Sequence, residues 1–173
     1  MKKYQVIYAD PPWKYNNKRT GGSMNSGAES KYQTMDIEDI IQMPISLIAD
    51  KDAVLFLWAT TPLLPDALRV LSGWGFEYKT AIYWRKIMSL GMGFWFRGQV
   101  ELCLLGVKGK IKPFRLQKPN FIQTKALRHS EKPEEMRQLI ELTGLQPRLE
   151  LFARRKVDGW DAFGNEIESD IEL

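Results

Sequence analysis

Short apolar runs and helix-spaced apolar positions alternate along this chain. "YQVIYA" (4–9) and "AVLFLWA" (53–59) are apolar, β-branched or aromatic and of strand length, and the stretch between them closes on the helix-like "DIEDIIQM" from Asp36. A second helix is predicted near Leu63–Ser72, with Thr60 or Thr61 as cap and Gly73 and Gly75 as stop signals. Further strands are predicted at 77–85, 100–107 and 148–153. The clearest helix is 133–142: Pro133 lies in its first turn, Glu134 and Glu135 near the positive end of its dipole, and Gly144 past its last turn. Strands alternating with helices imply an α/β fold, a mainly parallel sheet with helices on both faces.

Two segments break this regularity. Residues 14–34 and 108–130 are polar, basic and far longer than the usual connection of about two to six residues. Long loops in a compact domain tend to be lids or binding loops. In open α/β sheets ligands sit beyond the carboxyl ends of the strands, and the first long loop leaves the strand that ends at Asp10.

Composition narrows the class. With 173 residues and 44% hydrophobic positions the chain can bury one sizeable core, so residues 1–173 are expected to form a single domain. No apolar run reaches the about 18 residues of a membrane span, and Met1-Lys2-Lys3-Tyr4-Gln5 passes directly into a strand, so a cytoplasmic protein is expected. Cys103, the single cysteine, lies in the apolar "ELCLLGV" and reads as a buried, inert thiol, which sets cysteine and zinc chemistry aside; no metal is expected.

The net charge of +4 is modest but segregated. Lys79 to Lys132 carries twelve Lys or Arg against Glu101 and Glu131, while Val157 to Leu173 carries six acids and no base. Aromatics lie among the cations, including Tyr83, Trp84, Trp95, Phe96, Phe114 and Phe121. Interleaved cations and stacking faces suit a single strand or a flipped base, which points to nucleic acid.

The motif at the first strand end is "DPPW". Two successive prolines fix φ, remove two N–H donors and leave carbonyl oxygens beside the Asp10 carboxylate. Such an acceptor-only pocket suits an –NH₂ group, and Trp13 offers a flat face for a planar base. An amino group conjugated with a ring is a poor nucleophile. If Asp10 and the Pro11 carbonyl each accept one of its hydrogens, its lone pair is turned toward an electrophile. A strand ending in a polyproline-like turn would read equally well on these four residues alone.

Other segments tip the balance. "ADPPW" (9–13), "YQTM" (32–35), "LFLWAT" (55–60), "IYWRK" (82–86), "ELCLLGVKG" (101–109), "HSEKPEE" (129–135), "ELFAR" (150–154) and "GWDAFGNE" (159–166) follow in order. With them the chain resembles, over nearly its whole length, the adenine-N6 methyltransferases that carry an Asp-Pro-Pro-Trp signature, the permuted β-class family that includes the catalytic subunit of the eukaryotic mRNA adenosine methyltransferase. The resemblance implies a Rossmann-like methyltransferase sheet with circularly permuted motif order, S-adenosylmethionine as cofactor, and transfer of its methyl group to the adenine N6 amine without metal.

By the same resemblance Asp10, Pro11, Pro12 and Trp13 hold the amino group, and Tyr32, Trp84 and Glu101 lie near the acceptor base. Lys132 sits between acceptor and cofactor, and Asp10, Lys132, Glu150, Arg154, Asn165 and Glu166 line the cofactor. The residue types suit a sulfonium cation, a ribose diol and a zwitterion, although Glu150 alone could equally be an ion-pair partner of Arg148 or Arg154. His129, the only histidine, is assigned loop hydrogen bonding rather than base catalysis. The basic strip 108–128, with Lys112, Arg115 and Lys118, is expected to track phosphates.

Family members commonly have a strand before the signature whose acid helps hold the cofactor adenine. Here only nine residues precede Asp10, so those contacts are expected around Asp158–Asp161, and sequence preference is expected to be loose. DNA is the expected substrate ahead of RNA, and a homodimer is possible by analogy. Protein-glutamine and cytosine-N4 enzymes share the fold but usually carry Asn-Pro-Pro-Tyr or a leading Ser, and a silent nucleic-acid-binding subunit would be expected to have a damaged signature.

Overall fold

The computed structural model describes residues 2–14, 34–87, 95–112, 114, 116–125 and 131–173. Its architecture follows from the longest apolar run. Strand β2 (Ala49–Thr60) alternates along its length: Ala53, Leu55, Leu57 and Ala59 enter one hydrophobic cluster, and Val54, Phe56 and Trp58 enter another. Strand β1 (Tyr4–Ala9) does the same beside it, with Ile7 and Ala9 on the first face and Val6 and Tyr8 on the second. A strand apolar on both sides needs cover on both sides.

Helices provide that cover. Helices α1 (Ile37–Gln42), α2 (Ile45–Ile48) and α3 (Leu64–Gly73) bury Ile40, Ile45, Ile48, Ala67, Val70 and Leu71 in the first cluster. Helix α4 (Glu134–Glu141) buries Met136 and Ile140 in the second. A short 3-10 turn, Thr61–Leu63, links β2 to α3; Thr60 precedes it without a side-chain cap bond. The turn after α3 falls to Gly75, whose φ of +85° is the left-handed conformation that glycine adopts at no steric cost.

The remaining strands are β3 (Glu77–Ile87), β4 (Val100–Lys108), β5 (Phe121–Lys125), β6 (Arg148–Leu151) and β7 (Asp161–Phe163). They form one sheet in the order β5-β3-β4-β2-β1-β6-β7. All neighbours run parallel except β4, which is antiparallel to both β2 and β3. The mainly parallel α/β reading therefore holds, with a Rossmann-like doubly covered sheet. Strands β5 and β7 were not predicted. No helix among the described residues is long and apolar enough to cross a membrane.

The antiparallel strand decides what meets at each end of the sheet. The carboxyl ends of β1, β2, β3, β6 and β7 share one edge, and the amino end of β4 joins them because Glu101 pairs with Thr60 and with Trp84. Lys108 and Gly109, at the other end of β4, lie against Ala53 and Lys51 at the opposite edge.

Candidate active site

Strand β1 delivers Asp10 to this carboxyl edge, and the two prolines turn the chain at once. The Trp13 N–H donates to the Pro11 carbonyl at 2.8 Å, and the Met35 N–H donates to the Pro12 carbonyl at 2.9 Å. Each carbonyl thus accepts one local N–H and keeps a second lone pair, that of Pro11 beside the Asp10 carboxylate. Trp13 itself differs from expectation. It is only 8% exposed, packs into the first cluster and donates its indole N–H to the Trp58 carbonyl at 3.0 Å. It braces the turn beneath Asp10 rather than offering an open face.

Four charged groups alternate in sign beyond that turn. The Lys132 ammonium, in the segment before α4, lies 3.1 Å from Asp10 Oδ1 and 3.0 Å from Glu101 Oε2. Lys86, near the end of β3, pairs with the other Glu101 oxygen, Oε1. Lys132 and Glu101 are only 16% and 14% exposed. Ions so far out of water are costly unless each has a partner, and here each has.

The same burial fixes protonation. Desolvation pushes the Asp10 carboxyl above its ordinary value, and the Lys132 ammonium only partly opposes that. Burial also pushes on Glu101, but Lys132 and Lys86 together outweigh it and hold that carboxyl below the usual range. Burial works against the Lys132 charge, yet the two carboxylates outweigh it and the ammonium is held strongly protonated. The site therefore contains one firmly ionised carboxylate and one carboxylate with raised proton affinity.

Two indoles seat the lysines. Lys132 Nζ is 5.3 Å from the Trp58 ring centroid and Lys86 Nζ is 4.8 Å from that of Trp84. The rings meet edge to face, with centroids 5.8 Å apart and planes at 72°. Trp58 donates to the Tyr8 hydroxyl at 2.7 Å and Trp84 to Thr124 Oγ1 at 2.8 Å. Trp84 is buried, so it too lies behind the site as support. A cavity of about 170 Å³ opens beside it, lined by Thr124, Lys125, Glu131, Lys132, Pro133 and Glu135.

The ends of β6 and β7 form the neighbouring wall. Arg154 Nε lies 3.6 Å from Glu166 Oε1 at the exposed edge, with Asn165 adjacent in the chain. Gly164 lets the two strand ends close up: a Cβ there would fall almost on the Ala153 carbonyl oxygen and 2.9 Å from the Ala153 nitrogen. A guanidinium, an amide and a carboxylate over such a close approach fit a ligand with a carboxylate and a diol. Glu150 stands apart from this group. Its carboxylate is held by Arg137, at 2.6 Å from Nη1 and 3.4 Å from Nη2, and neither Arg148 nor Arg154 is the partner.

Lys112, Phe114 and Asp161 are not brought to Asp10. Lys112 lines a cavity with Gln5, Asp52 and Leu145 at the opposite edge, where the basic strip begins, while Lys125 lines the cavity beside Trp84 and Lys132. Phe114 stacks on Phe56 in the second cluster, centroids 6.4 Å apart, and serves the core. Asp161 binds Lys2 and the Tyr4 hydroxyl near the start of β1, so the Asp158–Asp161 segment lies away from the carboxyl edge. Lys118 lies in the run leading into β5. Tyr32, Arg115 and His129 lie outside the described residues.

Lys86 was missed by sequence reasoning. The signal for it was weak but present: in "IYWRK" it follows Trp84 by two, which puts both on one face of a strand.

Comparison with known proteins agrees with this geometry. The profile of the MT-A70 family matches residues 4–166. The chain is 36% identical to the Type II methyltransferase M.MunI of Mycoplasma sp., with 99% of this chain and 82% of that protein covered. It is 29% identical to the human N(6)-adenosine-methyltransferase catalytic subunit METTL3, and 28% to the Arabidopsis thaliana N(6)-adenosine-methyltransferase MT-A70-like protein. Those alignments cover 96% and 95% of this chain but only 28% and 24% of the larger relatives. With its signature turn, its sheet order and a match over most of its length, the chain belongs to the MT-A70 family.

Proposed function

We propose that the protein transfers a methyl group from S-adenosylmethionine to the exocyclic N6 amine of adenine in nucleic acid, with DNA as the first substrate. The observation that carries this reading is the Asp10 turn held 3.1 Å from Lys132, in a family whose relatives are named N(6)-adenosine-methyltransferases. The relative covered over most of its own length is named a Type II methyltransferase, which supports DNA; the names of the larger relatives keep RNA as the second substrate to test.

When bound, S-adenosylmethionine supplies a methyl group on a sulfonium cation. The chain's own residues do the rest. Arg154, Asn165 and Glu166 bind its carboxylate and diol at the ends of β6 and β7, and Lys132 holds Asp10 from the Glu101 side. Asp10 and the free lone pair of Pro11 accept the two hydrogens of the adenine amine and orient its nitrogen. As the nitrogen gains positive charge, the ionised Asp10 stabilises it at short range, where partial desolvation strengthens the attraction. One proton must then leave the nitrogen. The raised proton affinity of Asp10 suits it to receive that proton or pass it to water.

The test incubates the protein and its Asp10→Ala variant with methyl-labelled S-adenosylmethionine and, separately, single-stranded DNA, duplex DNA and RNA, then identifies the labelled nucleoside. The reading expects label in N6-methylated adenosine or deoxyadenosine, absent with the variant although cofactor still binds. Label in methylcytosine, or undiminished turnover by the variant, overturns it.

A further inference from the structure

Lys86 occupies an unusual place for a strand-end lysine. Its side chain is 22% exposed, with the ammonium bonded to Glu101 and seated over the Trp84 ring, while its backbone N–H donates to the Gln99 carbonyl at 2.8 Å. Lysines at sheet ends normally reach into water, because a buried ammonium loses strong hydration. This one is turned inward onto a carboxylate that already has a counter-ion. Glu101 is thus bridged, one oxygen to Lys86 and the other to Lys132.

We propose that Lys86 is a positioning residue for the methyl transfer: by occupying one oxygen of Glu101 it leaves Lys132 shared with Asp10. The inference rests on the reaction proposed above. Lys86 touches neither Asp10 nor the acceptor amine, and acts through Glu101 and Lys132.

The electrostatics run in one direction. With Lys86 present, the alternating row Lys86, Glu101, Lys132, Asp10 sums to zero. Without it, Glu101 has Lys132 as its sole counter-ion and draws the ammonium from Asp10, whose own burial already disfavours the charged form. Among the described residues three other groups face Asp10. Arg154, beyond β6, favours its charge; the Tyr8 hydroxyl and the Cys103 thiol are neutral, because burial pushes both well above their ordinary values. Arg154 contributes less to Asp10 than Lys132 does, and the two neutral groups contribute no cation. Asp10 would therefore take up a proton at higher pH, and a protonated Asp10 offers the amine one acceptor fewer.

The discriminating variant is Lys86→Met, which keeps an apolar stem over Trp84 and removes only the charge. The Asp10 carboxyl midpoint is read by carbon-13 NMR titration in the wild type, Lys86→Met and Lys86→Arg, alongside the pH dependence of turnover. The expected result is an upward shift of about one pH unit in Lys86→Met, in both the midpoint and the acidic limb of the rate profile, with recovery in Lys86→Arg. A midpoint unchanged in Lys86→Met overturns the proposal, whatever happens to the rate, since a purely packing role would lower turnover at every pH alike. Should Lys86→Met fail to fold, Lys86→Gln is read in the same way. The NMR midpoint needs no turnover, so a wild type that methylates nothing would refute the assigned reaction separately.

Discussion

Gly164→Ala perturbs the proposed cofactor wall without touching Asp10. The φ at Gly164 is not in the left-handed region, so the alanine pays no conformational cost and the effect is steric alone. Its Cβ would lie 3.0 Å from the Ala153 carbonyl carbon, 2.9 Å from the nitrogen and almost on the oxygen. Ordinary carbon–oxygen approach is about 3.3 Å, so the ends of β6 and β7 must part by about 1 Å. That strains the Ala153 N–H bond to the Phe163 carbonyl, now 2.9 Å. Its loss costs about 1 kcal/mol and the overpacking about 1–3 kcal/mol more. For a chain of this size that lowers Tm by about 5–15 °C. The same movement carries Asn165 and Glu166 away from Arg154, and losing one hydrogen bond to a charged group weakens S-adenosylmethionine binding by about tenfold or more. Calorimetry measures the Kd and a thermal melt the Tm. Unchanged values for both would refute the assigned close approach and the cofactor wall built on it.

Two other substitutions separate structural from functional charges. Arg137→Met leaves the Glu150 carboxylate, 17% exposed, without its partner, and should destabilise the fold by about 3–5 kcal/mol, read as a Tm drop of about 10 °C; adding Glu150→Gln should restore part of it. Lys112→Ala, at the edge opposite Asp10, should leave the KM for nucleic acid unchanged within about twofold at 0.1 M salt and above, because exposed charges farther off than a Debye length of about 10 Å at 0.1 M salt are screened.

The fold was largely legible because its central strands are apolar on both faces, a pattern that little else produces. Strand β5 was hidden for the converse reason. "FIQTK" alternates exposed and half-buried positions at the edge of the sheet, so it reads as part of a polar loop. Strand β7 has only three residues, too few for any period. Asp10 was legible because two prolines after a strand are locally conspicuous. The Lys86, Glu101, Lys132 row was not, because it joins residues from β3, β4 and the approach to α4, and only the folded sheet brings them together. The place of Lys112 was hidden for a related reason: a basic strip in the chain carries no direction, and the reversed β4 delivers its start to the far edge. Trp13 and Trp84 read as stacking faces, yet their indole N–H groups find partners inside, and both went to support.

The placement of β1 also has a consequence for how the molecule is made. Residues 4–9 leave the ribosome well before residues 148–166, yet their strand lies in the interior of the sheet, between β2 and β6. One flank can pair as soon as β2 emerges. The other waits for residues 148–151, and the wall that faces Asp10 waits for Gly164. Such distant pairing is entropically slow to form and leaves a strand edge open meanwhile. A nascent chain therefore displays the Asp10 turn long before the β6–β7 wall can form beside it, and the proposed site is complete only once Gly164 and its neighbours have emerged.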